Sequence, residues 1–227
     1  AALRGPRKLV DFSGKVYVAP LTTVGNLPFR RCLVGLGADV TCSEMAMAAN
    51  LLTGQRSEWA LVKRHPCERA FGVQLAGAHA DQLTRAAQLL EEHVAMDFVD
   101  LNLGCPIDLV CQRGAGSALM LRTNKVKAIV GGMLDELTCP VTVKMRTGWG
   151  DNEPVADKVV RALREVAAAR GAPGAVAAVM VHGRSRTQRY TRLAKWDYIN
   201  SVASGQKAED IMQKPPAKSN GDEIADD

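Results

Sequence analysis

The sequence predicts an α/β fold of the (β/α)8 TIM-barrel type, with only about the first six β/α units present. Short apolar runs alternate with amphipathic stretches from Val16 to Val181, and each crossover must return the chain in the same direction, which makes the sheet parallel. Asn102, Lys144 and His182 each stand at the end of a run, and Gln74 falls in the last stretch of another. Polar residues therefore gather at the carboxyl edge, where barrel enzymes assemble their sites. No G-x-G-x-x-G follows the first run, which counts against an open doubly wound sheet built for dinucleotides.

The first strand is expected at Val16-Tyr17-Val18-Ala19-Pro20, before a helix from Pro28 to Leu36. A second strand lies near Ala38 to Cys42, with a helix after Glu44. The third strand, Ala70 to Leu75, leads to a helix capped near Ala80-Asp81, with an apolar stripe of Leu83, Ala86, Ala87, Leu90 and Val94. Phe98 to Asn102 is the fourth strand, followed by a glycine-rich loop, Gly104 to Ser117, and a helix from Asn124 to Leu134. Val141 to Lys144 is the fifth. Asp151 to Pro154 then supplies an N-cap region with proline placed for the first turn of a helix running to about Ala169. Val176 to Val181 is the sixth strand.

The 227 residues suit one large domain or two small ones, and 47% hydrophobic with 23% charged residues excludes global disorder and a coiled coil. No apolar run approaches the roughly 18 residues of a membrane-spanning helix, so no membrane partner is expected. Lysine and arginine exceed aspartate and glutamate by 29 − 24 = 5, which is compatible with a polyanionic partner without demonstrating one. The six cysteines form no C-x-x-C pair and no zinc spacing. No metal is expected, and free thiols point to a reducing compartment, taken as the cytoplasm with the nucleus as a second location. The chain starts at Ala1 rather than methionine, which leaves room for a removed targeting segment. Near Ser201 the composition turns to serine, glycine, proline and charge, which divides the chain into a barrel domain at 1–200 and a disordered tail at 201–227.

The most specific stretch is Asp100-Leu-Asn102-Leu-Gly104-Cys105-Pro106 followed by Gly114-Ala-Gly116-Ser-Ala-Leu-Met120. It resembles the dihydrouridine synthase family, flavin enzymes that reduce uridine in transfer RNA. Ala19-Pro20-Leu21, Pro28-Phe29-Arg30, Ser43-Glu44-Met45, Val73-Gln74-Leu75, Val143-Lys144-Met145-Arg146 with Gly148-Trp149, and Val181-His182-Gly183-Arg184 follow in the family's order. With Arg186-Thr-Gln188-Arg189-Tyr190 and Trp196-Asp197-Tyr198, the chain is most similar to the third eukaryotic subclass, whose members act on a variable-loop uridine. The resemblance implies FMN as cofactor, NADPH or NADH as electron donor, and transfer RNA or another RNA as partner.

Reducing the C5=C6 bond of uracil takes a hydride at one carbon and a proton at the other, and no side chain donates hydride, so a cofactor must. A thiol with an ordinary pKa near 8.5 is mostly protonated at neutral pH and suits the general acid. By spacing alone Cys105 is read as a small buried hydrophobe; the Asn-x-Gly-Cys-Pro frame reverses this and makes it the candidate acid. Cys32, Cys42, Cys67, Cys111 and Cys139 are read as small buried hydrophobes.

The resemblance places Lys144 beside the flavin N1 and C2 carbonyl, where charge accumulates on reduction, against the alternative of a snorkelling or paired surface lysine. It places Pro20, Leu21 and Gln74 against the flavin ring and His182 beside the cofactor. Arg146, on the same side of an extended chain as Lys144, is a candidate to present donors to uracil, or else forms a salt bridge. Asn102 offers a donor and an acceptor to the base edge, or is an ordinary turn residue. Arg184, Arg186, Arg189 and Arg192 form a basic run that suits RNA phosphates, or a solvated face; Arg184 is the candidate substrate contact.

In the family, the cofactor phosphate is held after the seventh and eighth strands, and a helical domain grips transfer RNA; neither has a counterpart here. Asn220-Gly221-Asp222 lacks a preceding strand and is read as coincidence. The expectation is a truncated or alternatively spliced form diverging near Asn200, which by itself binds FMN poorly. An inactive or regulatory fragment is the second hypothesis.

Overall fold

The computed structural model describes residues 7–172 and 174–205. Strands β1 (Val40–Cys42), β2 (Ala46–Met47), β3 (Ala70–Ala76), β4 (Phe98–Leu103), β5 (Val141–Arg146) and β6 (Val176–His182) form one parallel sheet. Its order, β1-β3-β4-β5-β6 with β2 also on β3, follows the chain. A doubly wound sheet reverses its strand order at a switch point; a barrel never does, so single winding makes this a partial barrel. Helices α1 (Leu27–Gly35), α2 (Ala48–Leu52), α3 (Arg56–Leu61), α4 (Ala80–His93), α5 (Asp108–Gln112), α6 (Thr123–Glu136), α7 (Ala156–Ala168) and α8 (Trp196–Ser204), with a 3-10 turn at Gly116–Leu121, complete it. Among the described residues no helix is long and apolar enough to cross a membrane.

Six sequence expectations need correction. The run Val16–Pro20 is not a continuous strand: it meets β1 through one parallel bridge, Tyr17 to Val40, with Val18 N donating to Val40 O at 2.8 Å. Pro20 has no N–H to extend the ladder, although the segment still fills the first-strand position. The second strand is found as β1, but the helix expected after Glu44 is preceded by the short strand β2, also on β3; between the two, Ser43 Oγ accepts from Gln74 N at 3.0 Å in place of a ladder carbonyl. The glycine-rich loop is largely helical, holding α5 and the 3-10 turn. Pro154 is not in the first helical turn: it bridges Gly148, and Val155 N and Ala156 N both bond Thr147 O, so the loop closes before α7 begins. Of the expected tail, residues 201–204 are the last turn of α8, with Ser201 and Val202 buried, while 206–227 lie outside the described residues. Two of the cysteines read as buried, Cys32 and Cys67, are exposed, on α1 and on the loop before β3.

Period-two alternation sorts the sheet into two faces. Phe71, Val73 and Leu75 of β3, Val99, Leu101 and Leu103 of β4, and Val141, Val143 and Met145 of β5 join one core with α4, α6 and α7. The other residues of these strands face inward. At the bottom of that inner face Phe98 packs with Phe12 (ring centroids 5.3 Å apart, edge-on) and Tyr17 (6.0 Å). A Cβ at Gly72 would lie 2.0 Å from the Phe98 ring, so position 72 admits no side chain while Phe98 is there. On the periphery α1 is pinned by Arg30, 1% exposed, whose Nε meets Glu68 Oε1 at 2.7 Å and whose other nitrogens donate to Gly25 O and Lys63 O.

Candidate active site

Above the aromatic plug the inner face turns polar. Gln74, Asp100 and Thr142 are neighbours in sheet register; Asn102 and Lys144 form the next pair, and Arg146 and His182 the one above. Gln74 Nε2 donates to Asp100 Oδ2 at 2.7 Å and Thr142 Oγ1 donates to Asp100 Oδ1 at 2.6 Å. Asn102 Nδ2 donates to Gln74 Oε1 at 2.8 Å, and Asn102 Oδ1 accepts from Gly104 N (3.1 Å) and Cys105 N (2.9 Å). The strand end thereby folds back over its own asparagine and presents Cys105 at the rim.

The loop that follows closes over the thiol. Ser117 N bonds Cys105 O at 3.0 Å, and Cys111 Sγ donates to the same oxygen at 3.5 Å. Gly116 has φ +59, and a Cβ there would lie 2.7 Å from Cys105 O, so glycine is required twice over. Cys105 is 8% exposed.

Electrostatics assigns protonation states. Burial pushes the Cys105 thiol up from its ordinary value, with Arg146 and Lys144 acting in the opposite direction, so it is protonated at neutral pH. Burial raises Asp100 to about 6 despite the hydrogen bonds from Gln74 and Thr142 and the charge of Lys144, leaving it mainly ionised at pH 7. Burial lowers Lys144, partly offset by Asp100. Burial, then Arg146, Lys144 and Arg184, lower His182 to about 4, so its imidazole is neutral. His182 Nδ1 is buried without a hydrogen-bond partner and so offers an unused polar atom at the rim.

The expected site residues Gln74, Asn102, Cys105, Lys144, Arg146 and His182 thus share one end of the sheet's inner face. Asn102 spends its amide on Gln74 and the Cys105 loop, as a turn residue would. Arg146, 4% exposed, donates from Nε to Gly104 O and from Nη1 to Ser185 O and Arg189 O, and stacks on Tyr190. It clamps the loops after β4 and β6 together and forms no salt bridge among the described residues. Pro20 is buried and Leu21 exposed, in the loop after the first-strand position. Arg184 commits Nε to Arg192 O. The rest of the basic run is tied to acids: Arg186 and Arg189 to Asp108, and Arg192 to Asp151. Asp100, Thr142 and Tyr190 carry no role in the sequence reading. Alternation along Val99-Asp100-Leu101-Asn102-Leu103 is the signal that places Asp100 inside with Asn102.

Residues 17–208 match the family described as Dihydrouridine synthase (Dus). The chain is 53% identical over 216 residues to a rat protein named tRNA-dihydrouridine(47) synthase [NAD(P)(+)]-like, covering 95% of this chain and 32% of the relative. Proteins of the same name from Homo sapiens (54% over 193 residues, 85% of this chain, 28% of the relative) and Arabidopsis thaliana (48% over 196 residues, 86% and 27%) are also similar. The chain therefore spans about a third of the length of these curated relatives. The match runs from Tyr17, beside β1, past the end of α8 and contains every element that builds the rim, so the chain belongs to the dihydrouridine synthase family.

Proposed function

We infer that this chain carries the catalytic site of a flavin-dependent transfer RNA dihydrouridine synthase, which reduces the C5=C6 bond of a variable-loop uridine with FMN and NADPH or NADH. The observation that carries this reading is a thiol, Cys105, kept protonated at a barrel rim with two cationic side chains, Lys144 and Arg146, close enough to act on it. Such a thiol can give its proton to an enolate carbon of the reduced base and has cations in place to stabilise the thiolate left behind.

The rim fits a flavin ring. The unpartnered His182 Nδ1 supplies a polar contact from a neutral imidazole, and Lys144 supplies a positive charge on the same face. Pro20, Leu21, Gln74, Lys144 and His182 would hold the ring, and the bound flavin would supply the hydride. Asn102 and Arg146 fix the loop that holds Cys105, Cys105 holds the proton, and Arg184 lies on the rim toward RNA. Transfer RNA as substrate rests on the names of the relatives, each a tRNA-dihydrouridine(47) synthase.

The direct test is dihydrouridine formation in transfer RNA transcripts with purified protein, FMN and NADPH. Product at one variable-loop uridine supports the reading; flavin reduction by NADPH without product under any RNA condition overturns it. Flavin absorbance after gel filtration checks the expectation that the 227-residue chain holds FMN weakly: a stoichiometric yellow monomer contradicts it. Lys144→Met, which keeps side-chain bulk and removes charge, is expected to lower the reduction potential of the bound flavin. An unchanged or raised potential shows that the charge is not directed at the ring.

A further inference from the structure

The polar chain beneath Cys105 has a direction, and its chemistry dictates which way it runs. An ionised carboxylate can only accept hydrogen bonds. Asp100 is wholly buried and receives two, from Thr142 Oγ1 on one oxygen and Gln74 Nε2 on the other. Because Gln74 must turn its NH2 toward Asp100, its carbonyl faces Asn102. Asn102 must then turn its own NH2 toward Gln74, which leaves Oδ1, and only Oδ1, facing the backbone N–H groups of Gly104 and Cys105. Reversing either amide would set acceptor against acceptor on one side of it and donor against donor on the other, and the two backbone N–H groups ask for the same sense as the carboxylate does.

We propose that Asp100 is a positioning residue for the Cys105 thiol, its acceptor-only carboxylate anchoring the Asp100–Gln74–Asn102 relay in the one sense that lets Asn102 seat the amides of Gly104 and Cys105. The inference rests on the reading of Cys105 as the acid for its functional meaning, while the relay is a property of the fold. Asp100 touches neither Cys105 nor the rim; it acts through two amides on two neighbouring strand ends.

Protonating Asp100 weakens this anchor. The acid can give its proton to Thr142, whose hydroxyl then turns to accept; the relay keeps its sense, but Gln74 Nε2 is left bonded to a neutral oxygen in place of a charged one, a weaker hydrogen bond. The loop above should therefore loosen as Asp100 takes up a proton, at the midpoint raised by burial to about 6. The titratable groups facing Asp100 are Lys144 on β5, Cys42 on β1 and Tyr17 on the segment beside β1. Burial holds the Cys42 thiol and the Tyr17 phenol well above their ordinary values, and both stay protonated through this range. His182, at about 4, titrates below it.

The experiment needs no activity. Hydrogen exchange of the Gly104 and Cys105 amides in the 227-residue chain, corrected for intrinsic exchange, is followed from pH 5 to 7.5 together with the Asp100 carboxyl carbon shift. Protection of both amides is expected to fall about threefold to fivefold toward acid, the order for one charge-assisted hydrogen bond becoming a neutral one, with the midpoint of the carboxyl shift. Asp100→Asn offers one donor and one acceptor, which satisfy Thr142 and Gln74 in either sense. It should hold the low-pH protection at every pH, a loss of pH dependence that a merely structural role would not produce. Parental protection that is flat while Asp100 titrates overturns the proposal, as does an Asp100→Asn chain with the parental pH profile. A protein that shows the coupled titration but makes no dihydrouridine keeps the relay and refutes only the proposed function.

Discussion

In an active form of the protein, Cys105→Ala is expected to lower dihydrouridine formation by about two to four orders of magnitude, the contribution of a well-placed general acid. Binding of FMN and its reduction by NADPH should stay near parental, because neither uses the thiol. The loop is also expected to survive the change: Cys105 is held through its backbone, with N–H bonded to Asn102 and carbonyl bonded from Ser117, and alanine keeps both. Transient kinetics separates the two half-reactions. Product formation within a factor of a few of the parent shows that the proton comes from elsewhere.

Arg30→Met should cause the largest loss of stability, about 3–5 kcal/mol, the cost of stranding one partner of a buried ion pair. Burial pushes Glu68 up, but hydrogen bonds from Arg30, His65 N–H and Thr41 more than reverse this and hold its carboxyl below the ordinary 4.5. A depressed carboxylate contributes stability above its unfolded pKa and loses it as pH falls through the folded value. Without Arg30 burial dominates, Glu68 rises, and the penalty is greatest at neutral pH and shrinks toward acid. Denaturant titrations at pH 7 and pH 4 measure both. Arg30→Met with Glu68→Met should recover part of the loss, and a single-variant cost under about 1 kcal/mol at pH 7 overturns the assignment.

The strands were legible in the sequence because inside-outside alternation is local: Val73, Leu75, Val99, Leu101, Val143 and Met145 read as buried, and their neighbours fall on the other face. The single winding of the sheet agrees with the barrel expected from polar residues at strand ends. Interruptions were not legible. The break at Ser43 between β1 and β2 depends on its hydroxyl accepting from Gln74 N, and the closure before α7 depends on Thr147 accepting two N–H groups. Both are meetings of distant or oppositely running segments that no local period announces.

The site divides the same way. Lys144 and His182 stood out as polar residues at strand ends, whereas Cys105 became a candidate only through its Asn-x-Gly-Cys-Pro frame. Arg146 illustrates the limit: its position was right, but which partners its guanidinium meets depends on the loop after β6, and those partners are backbone carbonyls with no sequence signature. Asp100 was visible and unassigned, because its effect is relayed through two amides.

The contact between Gly72 and Phe98 reaches beyond this molecule. The two positions share one volume, and whatever one gains the other must surrender. Among descendants of such a chain a methyl or larger group at 72 should arise only after, or together with, a smaller residue at 98. A library randomising 72 alone should return glycine, whereas one randomising both should return pairs of roughly constant summed size. The bottom of the barrel would then evolve as a two-letter word rather than two independent letters.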